Sequence, residues 1–254
     1  MTLCTFFGCL LTAYSPLLSI FFLYIAPNAQ YVLLMVASAF FCLLALLLSS
    51  VIWYFAKATQ SNHYISIAYS VAIKEVCRWG FYLLLSRAES GLNNISTNPK
   101  SPFNKTSFAF VSGYGYALMS ALVSYISLLV ESLGPGVLMC TSCPKATLFF
   151  ISAITTSLFS LLHLCWMVIA FEGFYELPKV KGWSKVVWVV LSHYGASYAT
   201  TLNSSTTVKY GCVYSIAICI GIIMTSIGFI MKSFKTVLTL ASNRQQRATV
   251  SMTT

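Results

Sequence analysis

The sequence predicts an all-α, polytopic membrane protein of seven transmembrane helices, and three observations carry that expectation. Hydrophobic residues make up 58% of the chain and charged residues only 8%, with a mean hydropathy of +0.80. A soluble domain carries about 25% charged residues, so this chain has too few to cover a surface facing water. Seven apolar stretches approach or exceed the roughly 20 residues needed to cross a hydrocarbon core at 1.5 Å per residue. Lys and Arg outside those stretches gather in alternate connections, which is the asymmetry that orients a membrane protein. The formal charge of +10 does not point to nucleic acid, because no basic patch carries the interleaved aromatics that such binding needs.

The seven segments cover residues 6–25, 31–56, 64–86, 108–130, 146–171, 186–202 and 210–231. Residues 1–231 are therefore read as one transmembrane domain, and the polar residues 232–254 as a disordered cytosolic tail. The first segment has no basic flank or small-residue cleavage site and contains Pro16, so it reads as a retained span and not as a signal peptide. The sixth is short, and its second half (SHYGASYATTL) is too polar to face lipid, so neighbours should enclose it.

With the N-terminus lumenal, the inner side holds Arg87, Lys100, Lys105, Lys179, Lys181, Lys185, Lys232, Lys235, Arg244 and Arg247. The outer side holds Lys57, Lys145 and Lys209, so the positive-inside rule places the tail in the cytosol. The glycosylation motifs at Asn94 and Asn104 then lie on the cytosolic side, and Asn203 lies close to the membrane, so little or no N-glycan is expected. The 3–4 connection is rich in Asn, Ser and Pro and is expected to be mobile. The 5–6 connection mixes Lys with Trp183 and Tyr175, as an interfacial segment beside anionic lipid does.

The fourth segment organises the chain. Gly113, Ala117 and Ala121 fall four apart, a series that lets another helix approach closely. At about 100° per residue, Ser120 and Ser124 lie within about 20° of Gly113, and Glu131 returns to the same azimuth. This small, hydroxylated face could pack inside its own bundle or against a second protein.

Ionisable groups at membrane depth cost roughly 2.5–3.5 kcal/mol each and so face a bundle interior. The third segment carries Lys74, Glu75 and Arg78, and Glu75 can pair with Arg78 at i,i+3 spacing. His163 and His193 lie in the fifth and sixth segments. These four residues, Glu75, Arg78, His163 and His193, read either as a buried structural joint or as a polar site able to activate water or polarise a carbonyl. The chain has no Asp, no HExxH, no GxSxG and no P-loop, so no catalytic residue, metal or cofactor is expected.

Of nine cysteines, Cys9, Cys42, Cys77, Cys165, Cys212 and Cys219 lie in apolar stretches as small buried hydrophobes. Cys140 and Cys143 share a polar loop. A local disulfide or two free thiols is favoured there over zinc, since no second pair or nearby His completes a site.

Several stretches in order resemble the anterior-pharynx-defective family, the seven-span scaffold subunit of gamma-secretase. They are FFGC at 6–9, SAFFCLLALLLSSVIWYF at 38–55, KEVCRWGFYLLL at 74–85, RAESGL at 87–92, VSG at 111–113, SLGPG at 132–136, LLHLCW at 161–166 and SHYGAS at 192–197. The likeness covers about residues 5–200 and fades in the seventh segment. It implies a non-catalytic scaffold whose partners are nicastrin, presenilin (which supplies catalytic aspartates) and the presenilin-enhancer subunit, in endoplasmic reticulum, Golgi and cell-surface membranes. The family's glycine ladder maps onto Gly113, Ala117 and Ala121, its intramembrane histidines onto His163 and His193, and its Glu/Arg pair onto Glu75 and Arg78. Lys74 stands where an uncharged polar residue is expected.

A more distant likeness to CAAX-prenyl-type proteases, in Glu75, Arg78 and the Phe159-to-His163 spacing, gives the rival reading of a Glu/His intramembrane protease. A seven-span receptor or transporter has only the number of spans behind it.

Overall fold

The computed structural model describes residues 3–56, 60, 62–94, 101, 103–134 and 136–253, with the side chains at 236, 237 and 240–253 excepted. Among the described residues seven helices follow one another: α1 (Leu3–Ile20, continued by a π turn, Phe21–Ile25), α2 (Ala29–Phe55), α3 (His63–Asn94), α4 (Asn104–Glu131), α5 (Leu148–Glu176), α6 (Val180–Ala199, continued by a 3-10 turn, Thr200–Ser204) and α7 (Gly211–Thr253). Each expected segment is a helix. Five are long and apolar enough to cross a membrane: Leu3–Ile25, Ala29–Phe55, Asn104–Glu131, Leu148–Glu176 and Gly211–Lys235. The exceptions are α3 and α6, which carry the charged and polar residues of the bundle's centre and turn them toward other helices.

Local chemistry sets the helix limits. Asn28 caps α2 by accepting from Gln30 N, and Thr147 caps α5 by accepting from Phe150 N. Pro16 lies inside α1, where it cannot donate to the helix ladder. A turn later the helix widens into the π turn, and the Tyr114 hydroxyl donates to the Leu17 carbonyl just ahead of it, at 3.1 Å. The expected 5–6 loop is mostly helix: α5 runs to Glu176 and α6 starts at Val180. Gly182 makes this sharp reversal possible, since a Cβ there would sit 2.7 Å from the Gly173 carbonyl. Lys185 bridges Glu172 and Glu176 across the reversal. The backbone of α7 continues as helix through residues 232–253, the stretch assigned above to a tail. The mobility expected of the 3–4 connection falls largely on residues 95–100 and 102, outside the described residues.

The bundle is built around α4 and α5. Helix α5 packs against α1, α3, α4, α6 and α7, and α4 packs against α1, α2 and α5. An apolar helix surrounded on all sides has no polar face to show, and α5 buries Phe149, Leu162, Leu164, Trp166, Met167 and Phe171. Two glycines of α4 set its closest approaches on opposite sides. A Cβ on Gly113 would lie 2.9 Å from Met167 Cβ and 3.1 Å from Leu164 Cα, both in α5. A Cβ on Gly115 would collide with the Met35 carbonyl oxygen and lie 2.5 Å from Ser38 Oγ in α2.

Tyrosine hydroxyls tie the helices together, most of them in the buried or half-buried interior and Tyr198 at an exposed end. Tyr14 donates to the Ala121 carbonyl, Tyr116 to Lys74, Tyr125 to Phe149, Tyr194 to Ala68 and Tyr198 to Tyr64. Each carbonyl has a second lone pair free for such a donor, and a membrane hydrogen bond of this kind is worth about 0.6 to 2 kcal/mol.

The cysteine pairing differs from expectation. Cys143 is bonded to Cys212, at the start of α7, and Cys140 is a buried free thiol. Cys212 is thus no isolated buried hydrophobe, and neither the local Cys140–Cys143 bridge nor a pair of free thiols forms. The zinc alternative loses a ligand for the same reason. Tertiary packing brings the residues together: Tyr210 N donates to the Ser142 carbonyl, and Cys212 N donates to Ser142 Oγ.

Candidate functional site

Helices α3, α5 and α6 bring Glu75, Arg78, His163 and His193 into one buried cluster. Arg78 is fully buried, and its Nη1 donates to both Glu75 oxygens at 2.6 and 2.7 Å. His193 Nδ1 meets Glu75 Oε1 at 2.5 Å, and Arg78 Nη2 lies 3.4 Å from His163 Nδ1. For neutral rings these contacts set which nitrogen bears the proton. A carboxylate only accepts, so His193 donates from Nδ1. A guanidinium only donates, so His163 accepts at Nδ1 and carries its proton on Nε2.

Aromatic rings hold the cluster in place. Trp166 stacks on His193 with ring centroids 4.3 Å apart, and its Nε1 donates to Ser192 Oγ at 2.8 Å. The Arg78 guanidinium lies 5.5 Å from the centre of the Tyr116 ring, within cation–π range. Tyr116, Trp166 and Ser192 were not singled out in the sequence. Two of them could have been, since Trp166 is three residues beyond His163 and Tyr116 three beyond Gly113, while Ser192 adjoins His193. At a spacing of three a helix places side chains on one face, whereas adjacency gives no such signal for Ser192.

The small face of α4 lies beside this cluster. Ala117, Ser120, Ala121 and Ser124 line a cavity of about 350 Å³ together with Lys74, His163 and the hydroxyls of α5 and α6. Gly113 itself is closed off by α5, so of the two destinations left open for this face, Gly113 takes the one within its own bundle. Glu131 is exposed at the helix end and joins neither the cluster nor the cavity lining.

A general base needs a lone pair aimed at the proton it removes. Both Glu75 oxygens are engaged by Arg78 and one also by His193, so the carboxylate serves as the hub of an ion-pair network. The arrangement fixes three helices against one another.

The Aph-1 protein family model matches residues 4–234, well past residue 200, where the motif likeness was expected to end. The chain is 32% identical over 230 residues to a human protein named gamma-secretase subunit APH-1B, covering 87% of each chain. It is 33% identical over 231 residues to the mouse protein of that name, covering 87% of this chain and 88% of the other. A Drosophila melanogaster gamma-secretase subunit Aph-1 is 32% identical over 206 residues, covering 81% and 84%. Five apolar membrane-length helices and this near full-length match agree, and the chain belongs to the Aph-1 family of multi-pass integral membrane proteins.

Proposed function

We propose that this protein is a non-catalytic scaffold subunit of a gamma-secretase-type intramembrane protease, holding presenilin, nicastrin and the presenilin-enhancer subunit by helix packing. The observation that carries this reading is the network of Glu75, Arg78 and His193: Glu75 Oε1 is engaged by Arg78 and His193 and Oε2 by Arg78, which suits a rigid joint better than a base for hydrolysis. The relatives' names supply the complex in which the joint serves.

In this reading all seven helices cross the bilayer, with the N-terminus lumenal and the tail cytosolic, in endoplasmic reticulum, Golgi and cell-surface membranes. The Cys143–Cys212 disulfide supports that orientation, because it joins the 4–5 connection to the start of α7 on the side assigned to the lumen, and disulfides persist in oxidising compartments. Since α5 covers Gly113, the partner helices meet other faces. Gly221, Thr225 and Gly228 form an exposed small-residue stripe on α7, and a Cβ at either glycine would meet nothing within 4 Å. That stripe supports close approach by a foreign backbone.

Affinity capture of the tagged chain from mild detergent tests the proposal. Co-purification of an aspartate-bearing membrane protease and a large glycosylated subunit is expected. A chain that purifies alone and cleaves a peptide by itself, with activity lost in Glu75→Gln, would establish the Glu/His protease instead.

A further inference from the structure

By formal charge, the buried cluster holds one cation more than its carboxylate matches. Glu75 matches Arg78, and Lys74, one residue before Glu75, brings a second cation. The chain has only five acidic residues, all Glu. Glu89 pairs with Lys105, Glu172 and Glu176 pair with Lys185, and Glu131 is exposed at a helix end. Among the described residues the Lys74 ammonium has no ion pair and no hydrogen bond, although a cation at membrane depth requires a partner.

Lys74 lines the same cavity of about 350 Å³ as His163. His163 is 1% exposed, and its Nε2 has no partner. Its Nδ1 is turned to Arg78, so Nε2 bears the proton and is a donor. Leaving a buried donor unmet costs about 1–3 kcal/mol. Ser120 and Thr156 add hydroxyls to the lining, while the Ser160 hydroxyl donates to the Thr156 carbonyl. The cavity extends to Asn203, whose carbonyl accepts from Ser142 N beside the disulfide, so it runs from the cluster toward that end of the bundle.

We propose that this cavity binds a small monoanion of halide size, held between the Lys74 ammonium and the Nε2–H of His163, with hydroxyls of the lining completing its shell. One bound monoanion cancels the surplus formal charge and occupies the His163 donor at once. Chloride is the probe of this class. Anion binding needs only the folded chain, so it stands or falls separately from the scaffold reading.

The test uses the full-length chain with whatever subunits co-purify, in nanodiscs of zwitterionic lipid, with chloride or bromide exchanged against gluconate at constant ionic strength. Saturable broadening of the ³⁵Cl resonance is expected, together with a thermal midpoint that rises with chloride concentration, since a ligand of the native state stabilises by mass action. Lys74→Gln should abolish both effects, and Lys74→Arg should retain the broadening. No saturable broadening in the unaltered protein overturns the proposal, even if Lys74→Gln fails to fold. Broadening that persists undiminished in a folded Lys74→Gln protein overturns it as well.

Discussion

The two glycines of α4 should respond unequally to the same substitution, because different atoms face them. In Gly113→Ala the new methyl lies 2.9 Å from Met167 Cβ and 3.2 Å from the Leu164 carbonyl oxygen, so α5 has to give by a few tenths of an ångström. Overpacking by one methyl costs about 1–3 kcal/mol, and replacing Gly by Ala inside a helix returns about 1 kcal/mol. The net loss is about 0–2 kcal/mol. In Gly115→Ala the methyl strikes the Met35 carbonyl, and it lies 3.0 Å from Ala39 N, both backbone atoms that cannot rotate away. It also meets Ser38 Oγ at 2.5 Å, the hydroxyl that donates to the Ser112 carbonyl. Losing that bond adds about 1 kcal/mol to overpacking near the top of its range, for a net loss of about 3 kcal/mol after the same propensity gain. Reversible unfolding in mixed dodecyl maltoside–SDS micelles, followed by tryptophan fluorescence, would rank the two. Adding Ser38→Ala to Gly115→Ala should recover only part of the loss, because the Met35 carbonyl stays. If Gly113→Ala proved equal to or costlier than Gly115→Ala, the assignment of the tightest helix contact to α2 and α4 would be wrong.

Three further outcomes follow from the same geometry. Removing one member of the buried pair, as Glu75→Leu or Arg78→Met, should cost about 3–5 kcal/mol, and the double variant less than the sum of the singles; strict additivity in the mixed-micelle assay would mean the network is not coupled. Cys143→Ser or Cys212→Ser opens a loop closed over a sequence separation of 69, so about 4 kcal/mol of chain-entropy stabilisation should be lost; Cys140→Ser should leave the non-reducing gel mobility of the bridged form unchanged, and a shift there would contradict the pairing. Gly221→Leu with Gly228→Leu should reduce recovery of partner subunits severalfold while leaving the isolated chain's unfolding transition in place, whereas Gly113→Leu should damage the chain itself. Full partner recovery with the α7 pair replaced would remove that stripe from the interface.

The helices and the membership of the polar cluster were legible in the sequence. Long apolar runs have one inexpensive way to satisfy their backbone in lipid, and groups as costly at depth as Glu75, Arg78, His163 and His193 must find one another, so composition alone nominated them. The choices between partners were not legible. Whether Cys143 meets Cys140 or Cys212, and whether Gly113 or Gly115 marks the tightest approach, depends on which helices are neighbours, and a local pattern is the same for every arrangement of neighbours. Tyr116 and Trp166 escaped notice for a related reason: an aromatic residue in an apolar span looks like ordinary packing until the carbonyl or imidazole it meets is known. The sequence by itself determined that this chain is a bundle of membrane helices with a charged interior. Only the tertiary structure decided that α4 is enclosed between α2 and α5, that Glu75 is engaged by its neighbours, and that Lys74 lines a cavity with no ion pair among the described residues, because the pairing of groups far apart in sequence is set by the packing of whole helices.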